Sequence, residues 1–168
     1  MTTPAQDPAQ DPAHDAAHDA AHDHVLLTTE DMPWIPTGPG KSFRPIRFDR
    51  DGWTELMRVE PGALVARHHH TGEVHGFNIS GSRELIEAGV VVGPGDYVYE
   101  PVDNIDSWRG VGTEPCVIHI RVEGQVEFFA DDGSLTGVAS SQTQQAIYLD
   151  WCQANGVEPE AALAIALS

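Results

Sequence analysis

Four of the nine histidines stand within eight residues, in Arg67-His68-His69-His70-Thr71-Gly72-Glu73-Val74-His75. A packed core has no use for that much imidazole at one place. Neutral imidazoles gathered in a dry pocket hold a borderline metal such as Fe, Zn, Cu or Ni. In an extended strand, side chains alternate faces. His68 and His70 therefore share one face, and His69 with Arg67 takes the other. The same rule along Val74–Ile79 puts His75 in phase with Phe77 and Ile79, an apolar phase expected to be interior. Two antiparallel strands joined at Thr71-Gly72 would direct His68, His70 and His75 into one cavity. A lone inward histidine is ordinarily a hydrogen-bonded core residue, but His-x-His with a third inward histidine is poorly explained that way. His69 is expected outside.

The elements around this cluster read as strands. From Ser42 onward, short β-rich runs end in turn signals every eight to twelve residues: Asp51-Gly52, Pro61-Gly62, Thr71-Gly72, Ser80-Gly81, Ala88-Gly89, Gly93-Pro94-Gly95, Gly112, Glu123-Gly124 and Asp132-Gly133. That rhythm predicts an all-β sandwich or barrel. Trp34 belongs to an extended arm before the first strand. Gln144–Ala154 carries Ile147, Tyr148, Trp151 and Cys152 at helical spacing, with Asn155-Gly156 as its stop, and a short second helix is expected after Glu158-Pro159. Trp151 is expected to anchor the helix. Residues 6–24 repeat every four residues and are rich in Asp, Ala and His. His14, His18 and His22 would share a helical face, but the segment has almost nothing to bury and is expected to be disordered. The organisation is thus a tail over 1–24, a β-barrel over 25–140 and a C-terminal helical segment over 141–168.

Composition narrows the partners. The 168 residues suit one domain, and 40% are hydrophobic, enough for a packed interior. A formal net charge of −17 argues against nucleic acid and against anionic membranes. Cys116 and Cys152 make no disulfide framework and are expected to be free buried thiols. No signal peptide and no apolar run long enough for a bilayer is visible, so the expected location is cytoplasmic.

Two motifs then resemble those of the cupins. Gly62-(five residues)-His68-x-His70-(four residues)-His75 resembles the first. Gly95-(five residues)-Pro101-x-Asp103-x-x-Asp106 resembles the second. The resemblance covers roughly residues 42–135 and implies a single-domain cupin, a small β-barrel or jelly roll holding a metal through these motif residues. More narrowly, Phe43–Phe48, His70–His75, Gly95–Pro101, the Glu123-Gly124 to Asp132-Gly133 segment and Tyr148–Cys152 look like the cupin dioxygenases that act on 2,4'-dihydroxyacetophenone and, more distantly, on β-diketones. That resemblance implies a mononuclear Fe(II) site, with Zn, Ni or Cu as other metals, and O2-dependent C–C cleavage of a small carbonyl substrate.

This chain departs from the pattern twice. His75 stands where the first motif usually has glutamate, and Asp106 where the second usually has histidine. The ligand set implied is His68, His70, His75 and Asp106; two of the histidines with Asp106 would make a facial triad. Four protein ligands on six-coordinate Fe(II) would leave no place for both a two-oxygen substrate and O2. One of His75 and Asp106 is therefore expected to stand off the metal. Glu100, at the place of a glutamate in the resembling enzymes, would orient a ligand imidazole or act as general base; otherwise it is a surface carboxylate at a strand end. Trp108, in phase with Asp106, would line the pocket beside Phe77 or pack in the core. His119 and Arg121 share a phase that faces either cavity or solvent. Cupins commonly pair through a strand or arm, which implies a homodimer or homotetramer. Other functions open at this point are a non-catalytic metal- or small-molecule-binding cupin, and a Zn or Ni isomerase or hydrolase.

Overall fold

The computed structural model describes residues 26–163. The expectation of a disordered tail over 1–24, weighed against a helical face of His14, His18 and His22, lies outside the described residues, as does the end of the C-terminal segment.

The described chain runs through β1 (Ile35–Gly38), β2 (Lys41–Asp49), β3 (Gly52–Val59), β4 (Leu64–His70), β5 (Val74–Ser80), β6 (Ser82–Leu85), β7 (Val90–Val92), β8 (Tyr97–Glu100), β9 (Ile105–Val111), β10 (Cys116–Glu123), β11 (Val126–Phe129), β12 (Leu135–Ala139) and α1 (Ser141–Asn155). The strands form two six-stranded sheets, ordered β1-β2-β3-β10-β5-β8 and β12-β11-β4-β9-β6-β7. Strand pairing within both is antiparallel. The core lies between them, built by Phe43, Trp53, Val59, Val65, Val74, Trp108, Ile118, Ile120, Val122 and Val126. This is the expected all-β architecture, two antiparallel sheets enclosing one core. The alternation of β2, β3 and β10 makes it readable: on β3, Trp53 and Val59 are buried in phase.

β1 and β12 are additions to the sequence reading. The Trp34 arm continues into β1, which pairs with β2, and the indole of Trp34 lies under the guanidinium of Arg44, 4.4 Å from the ring centroid. α1 begins with a capping box between Ser140 and Thr143 and ends at Gly156 in the left-handed region. Its buried stripe is Ser141, Gln144, Tyr148 and Cys152, one helical turn apart each time, and Trp151 is half-buried against the core. Tyr148 packs on Phe48 with ring centroids 6.2 Å apart. After α1 only a single short 3-10 turn, at 161–163, falls among the described residues. Both cysteines are free and buried, as expected. Among the described residues no helix is long and apolar enough to cross a membrane.

β4 and β5 are successive, but they do not pair. β4 lies between β11 and β9 in one sheet, and β5 between β10 and β8 in the other. The hairpin expected at Thr71-Gly72 is instead a crossing from sheet to sheet. Gly72 is required there: a Cβ would sit 2.4 Å from the Glu123 carbonyl oxygen.

Candidate metal centre

The site is assembled from three strands. His68 and His70 come from β4, Asp106 from β9 and Glu100 from the end of β8 in the facing sheet. His68 and Asp106 are directly opposite in the β4–β9 ladder, and β4 carries a bulge between Val65 and His68. The bulge leaves Ala66 and Arg67 outside while Val65, His68 and His70 are buried. A bulge re-aims side chains beside a site. Here it also supplies an acceptor: His68 Nδ1 donates to the Ala66 carbonyl at 2.7 Å. With Nδ1 carrying the proton, Nε2 of the neutral ring presents its lone pair inward. The β8–β9 turn is laced to His70, whose N–H donates to Asn104 O and whose carbonyl accepts from Asp103 N–H, both at 2.9 Å. Glu100, His70 and Asp106 are thereby held by one stretch of backbone.

His68 Nε2 lies 3.0 Å from Asp106 Oδ1, His70 Nε2 3.7 Å from the same oxygen, and His70 Nε2 2.8 Å from Glu100 Oε2. His68, His70 and Asp106 each offer an atom within 4.8 Å of the others, and all three residues are buried. His70 Nε2, Glu100 Oε2 and Asp106 Oδ1 have no hydrogen-bond partner despite these short separations. The donor and acceptor directions do not meet one another; closeness and charge, not directed bonds, relate them. Buried polar atoms left in this state cost free energy. Two imidazoles and a carboxylate converging without pairing are the donor set that a first-row divalent cation satisfies, so these residues fit a metal. Burial lowers the pKa of His68, against the opposing pull of Asp106, and keeps the ring neutral. Burial also acts downward on His70, but Asp106 and Glu100 outweigh it and raise the pKa to about 9. The two carboxylates thus create a demand for positive charge at His70.

These residues open on a cavity of about 310 Å³, walled by Phe43, Met57, Val65, Trp108, Ile120, Val126 and Phe128. That volume suits a small ligand. Trp108 is buried, lines the cavity and carries the guanidinium of Arg83 5.0 Å above its ring centroid.

His75 and Phe77 are elsewhere. On β5 the buried residues are Val74, Gly76 and Asn78, while Phe77 is 47% exposed and His75 half-buried on the outer face. There His75 Nδ1 bonds the Tyr97 hydroxyl, and its ring lies 5.3 Å from that of Tyr99. The expectation that His75 shares the metal cavity and that Phe77 lines it is corrected: the structure inverts the phase of β5. The physical reason is Arg83, on β6, only 1% exposed. Its Nε donates to Asn78 Oδ1 at 3.3 Å, and a Cβ on Gly76 would meet its Nη2 at 3.1 Å. A buried guanidinium needs a polar acceptor and a missing side chain beside it, so the small, polar phase of β5 turns inward. His69 faces outward as expected, bonded to Glu127 and Asp103. His119 is exposed, and Arg121 is on the same outer face, paired with Asp49.

Two residues escaped the sequence reading. Arg83 sits in a short strand whose neighbours Ser82, Glu84 and Leu85 show no alternation, so nothing marks it as internal. Glu55 could have been found: it is in phase with Trp53, Met57 and Val59 on β3 and is 5% exposed within the cavity wall. Burial raises its pKa to about 7, against hydrogen bonds from Gln144 and Trp53 that lower it.

The model of the ChrR cupin-like domain matches residues 22–126. No match was found among curated proteins. Among solved structures, an RmlC-like cupin protein from Ralstonia eutropha JMP134 is 25% identical, with a TM-score of 0.77 over 83% of this chain and 93% of that one. A cupin-like protein of unknown function from the same organism is 23% identical, with a TM-score of 0.74 over 80% and 90%. The acetylacetone dioxygenase of Acinetobacter johnsonii shares the fold at 15% identity, with a TM-score of 0.65 over 89% and 99%. With two facing antiparallel sheets, buried histidines on an inner strand and a family model spanning most of the barrel, the chain belongs to the cupins, in the family of the ChrR cupin-like domain.

Proposed function

We propose that this protein is a mononuclear non-haem Fe(II) dioxygenase that cleaves a C–C bond of a small enolisable hydroxyketone or diketone. The observation that carries the reading is the buried His68–His70–Asp106 group, two imidazoles and one carboxylate opening on a cavity of about 310 Å³. The fold shared with an acetylacetone dioxygenase is consistent with it. When bound, Fe(II) supplies a Lewis-acidic and redox-active centre for the substrate's two oxygens and for O2.

With His75 outside the cavity, the protein offers three donors rather than four, which leaves room for a two-oxygen substrate together with O2. Glu100 is the general base: buried, close to the ligand group and free of a directed hydrogen bond, it takes the proton from the substrate's α-carbon. Arg83 supplies positive charge behind Glu100 and Asp106 and keeps two carboxylates tolerable in one interior. Trp108, Val65, Val126 and Phe128 exclude water from the enolate. For an aryl hydroxyketone the balance is one ketone plus one O2 giving one aryl carboxylic acid plus formic acid.

Oxygen uptake tests this. Protein loaded anaerobically with Fe(II) should consume one O2 per enolisable ketone cleaved, with both cleavage products detected: two acids from an α-hydroxyketone, an acid and an α-oxoaldehyde from a β-diketone. Absence of uptake across α-hydroxyketones and β-diketones overturns the reading. Oxygen-independent conversion with Zn or Ni would replace it by Lewis-acid isomerisation or hydrolysis.

A further inference from the structure

The outer face of the sheet β1-β2-β3-β10-β5-β8 takes no part in the chemistry proposed above, yet it is not built like a solvated face. One row of paired residues crosses it as Arg44, Leu56, His119, Phe77 and Tyr97. The next row crosses it as Arg47, Thr54, Arg121, His75 and Tyr99. Residues opposite one another in a ladder stand side by side on one face. The face is therefore graded, with guanidinium groups on its β2 edge and aromatic rings on its β5–β8 half. Phe77, Tyr97 and Tyr99 are 47, 58 and 48% exposed, so no element of the described chain covers that half. The hydroxyl of Tyr99 donates to Glu73 at 2.9 Å, which sets a carboxylate among the rings. At the other edge Arg44 lays one side of its guanidinium on Trp34 and leaves the other side open, and Arg47 is exposed.

Contiguous apolar surface rimmed by polar groups marks an interaction site, and Tyr and Arg are enriched in such sites. The strand order says which partner fits. β10 is the middle strand of β2-β3-β10-β5-β8. A two-fold axis lying between two such faces and running along β10 sets β2 over β8 and β3 over β5. Because that axis follows the strands, each row meets the same row of the other copy. Arg44 then faces the partner's Tyr97, Leu56 faces the partner's Phe77, and Arg47 faces the partner's Tyr99 and the partner's Glu73. These are a cation over a ring, an apolar pair and an ion pair, and each occurs twice. Only His119 and Arg121 meet their own counterparts, and Arg121 is already paired with Asp49. Arg44, Arg47, Arg58 and Arg121 are four of the nine cationic residues in a chain of net charge −17, and all lie on this face. Self-repulsion is thereby reduced where the two copies meet.

We propose that this face joins two copies of the chain in an isologous dimer, held by Arg44 on the partner's Tyr97, Leu56 on the partner's Phe77 and Arg47 against the partner's Glu73. Five strands about 4.8 Å apart, with seven residues on β5 rising about 3.3 Å each, give roughly 500 Å² per copy. The total of about 1,000 Å² is at the low end of specific interfaces. The dimer is therefore transient, with a dissociation constant on the order of micromolar, and chains diluted below it have the stability of the monomer. The metal cavity lies behind the opposite face of the sheet, so the dimer does not depend on the reaction proposed above.

Sedimentation velocity of the full-length chain over about 1 to 200 μM should carry the mass from 18.2 kDa toward twice that value. Arg47→Glu brings two carboxylates together at each end of the interface, and Glu73→Arg brings two cations together. Either alone should raise the dissociation constant at least about 10-fold. Mixed in equal amounts, the two variants should dimerise within about threefold of the natural chain, because every carboxylate then faces a guanidinium. A merely destabilised variant is not repaired by a second one, so this rescue reads the pairing itself. Should either variant fail to fold, Tyr97→Arg takes its place: it sets a cation against Arg44 and should weaken the dimer by the same factor. A full-length chain that stays monomeric throughout overturns the proposal and leaves the face to a different protein or to the aspartate-rich residues 1–24. A dimer that the single variants do not weaken, or a mixture no better than its parts, overturns it equally.

Discussion

β4 and β5 are neighbours in sequence, each carries histidine, and each has a buried face, yet only one contributes to the metal centre. β4 turns His68 and His70 toward Asp106 and Glu100, with His68 oriented by the Ala66 carbonyl inside a bulge. β5 turns its histidine outward to Tyr97 and gives its interior phase to Val74, Gly76 and Asn78. The difference lies in what faces each strand. Opposite β4 are carboxylates that need imidazole or a cation. Beside β5 is a guanidinium that needs an amide oxygen and space. A histidine's proximity in sequence to a ligand pair is therefore a weaker guide than the chemistry of the strand it faces.

The largest effect should appear on metal retention. His70→Ala removes a donor with no substitute nearby and should lower the affinity for Fe(II) or Zn(II) by more than about 100-fold. Asp106→Asn should act in the same direction. His75→Ala should leave the metal content, measured by elemental analysis after dialysis, at the level of the natural chain. A loss of metal in His75→Ala equal to that in His70→Ala would break the contrast between the two strands.

Much of this was legible in the sequence. Turn signals at Asp51-Gly52, Pro61-Gly62 and Gly93-Pro94-Gly95 bound strands close to the observed ones, because a turn's need for glycine or proline is local. The period-two rule put His68 and His70 on one buried face, as β4 has them, whereas Asp106 came only from the resemblance to the second cupin motif, because Asp106, Ser107 and Trp108 are all buried and show no alternation on β9. The rule failed on β5, where apolarity chose the wrong face. The deciding residue, Arg83, is on another strand, and no local pattern announces a buried cation. The pairing of β4 with β11 and β9 is likewise a property of the whole topology. β12 was missed because Leu135–Ala139 is mostly exposed and short.

Glu55 offers a second contrast, between the carboxylates at the metal centre and one in the wall of the same cavity. Its pKa, raised to about 7 by burial, exceeds the ordinary glutamate value of 4.5. The folded state therefore holds a proton that the unfolded chain releases, so stability falls as pH rises from about 4.5 to about 7 and levels above. Over that window the contribution is on the order of 3 kcal/mol. Glu55→Gln should remove this component. Denaturant midpoints at pH 5 and pH 8 should differ less in the variant than in the natural chain, and an identical difference would show that Glu55 is solvated or paired in solution.

The smallest effects belong to the outer face of β5, and they sharpen the phase assignment. Phe77 opposes Tyr97 and His119 in its ladders and is half exposed. Phe77→Ser should change the unfolding free energy by no more than about 0.5 kcal/mol, the usual range for surface positions. The next residue in the chain should behave oppositely. Asn78→Ala deletes the acceptor for Arg83 Nε and the donor to Cys116 Sγ in the interior, leaving a buried guanidinium less satisfied, at a cost of about 2 kcal/mol. Urea unfolding of the two variants measures the order directly. If Phe77→Ser were the more damaging, β5 would present its aromatic face to the core in solution, and His75 would return to the list of possible ligands.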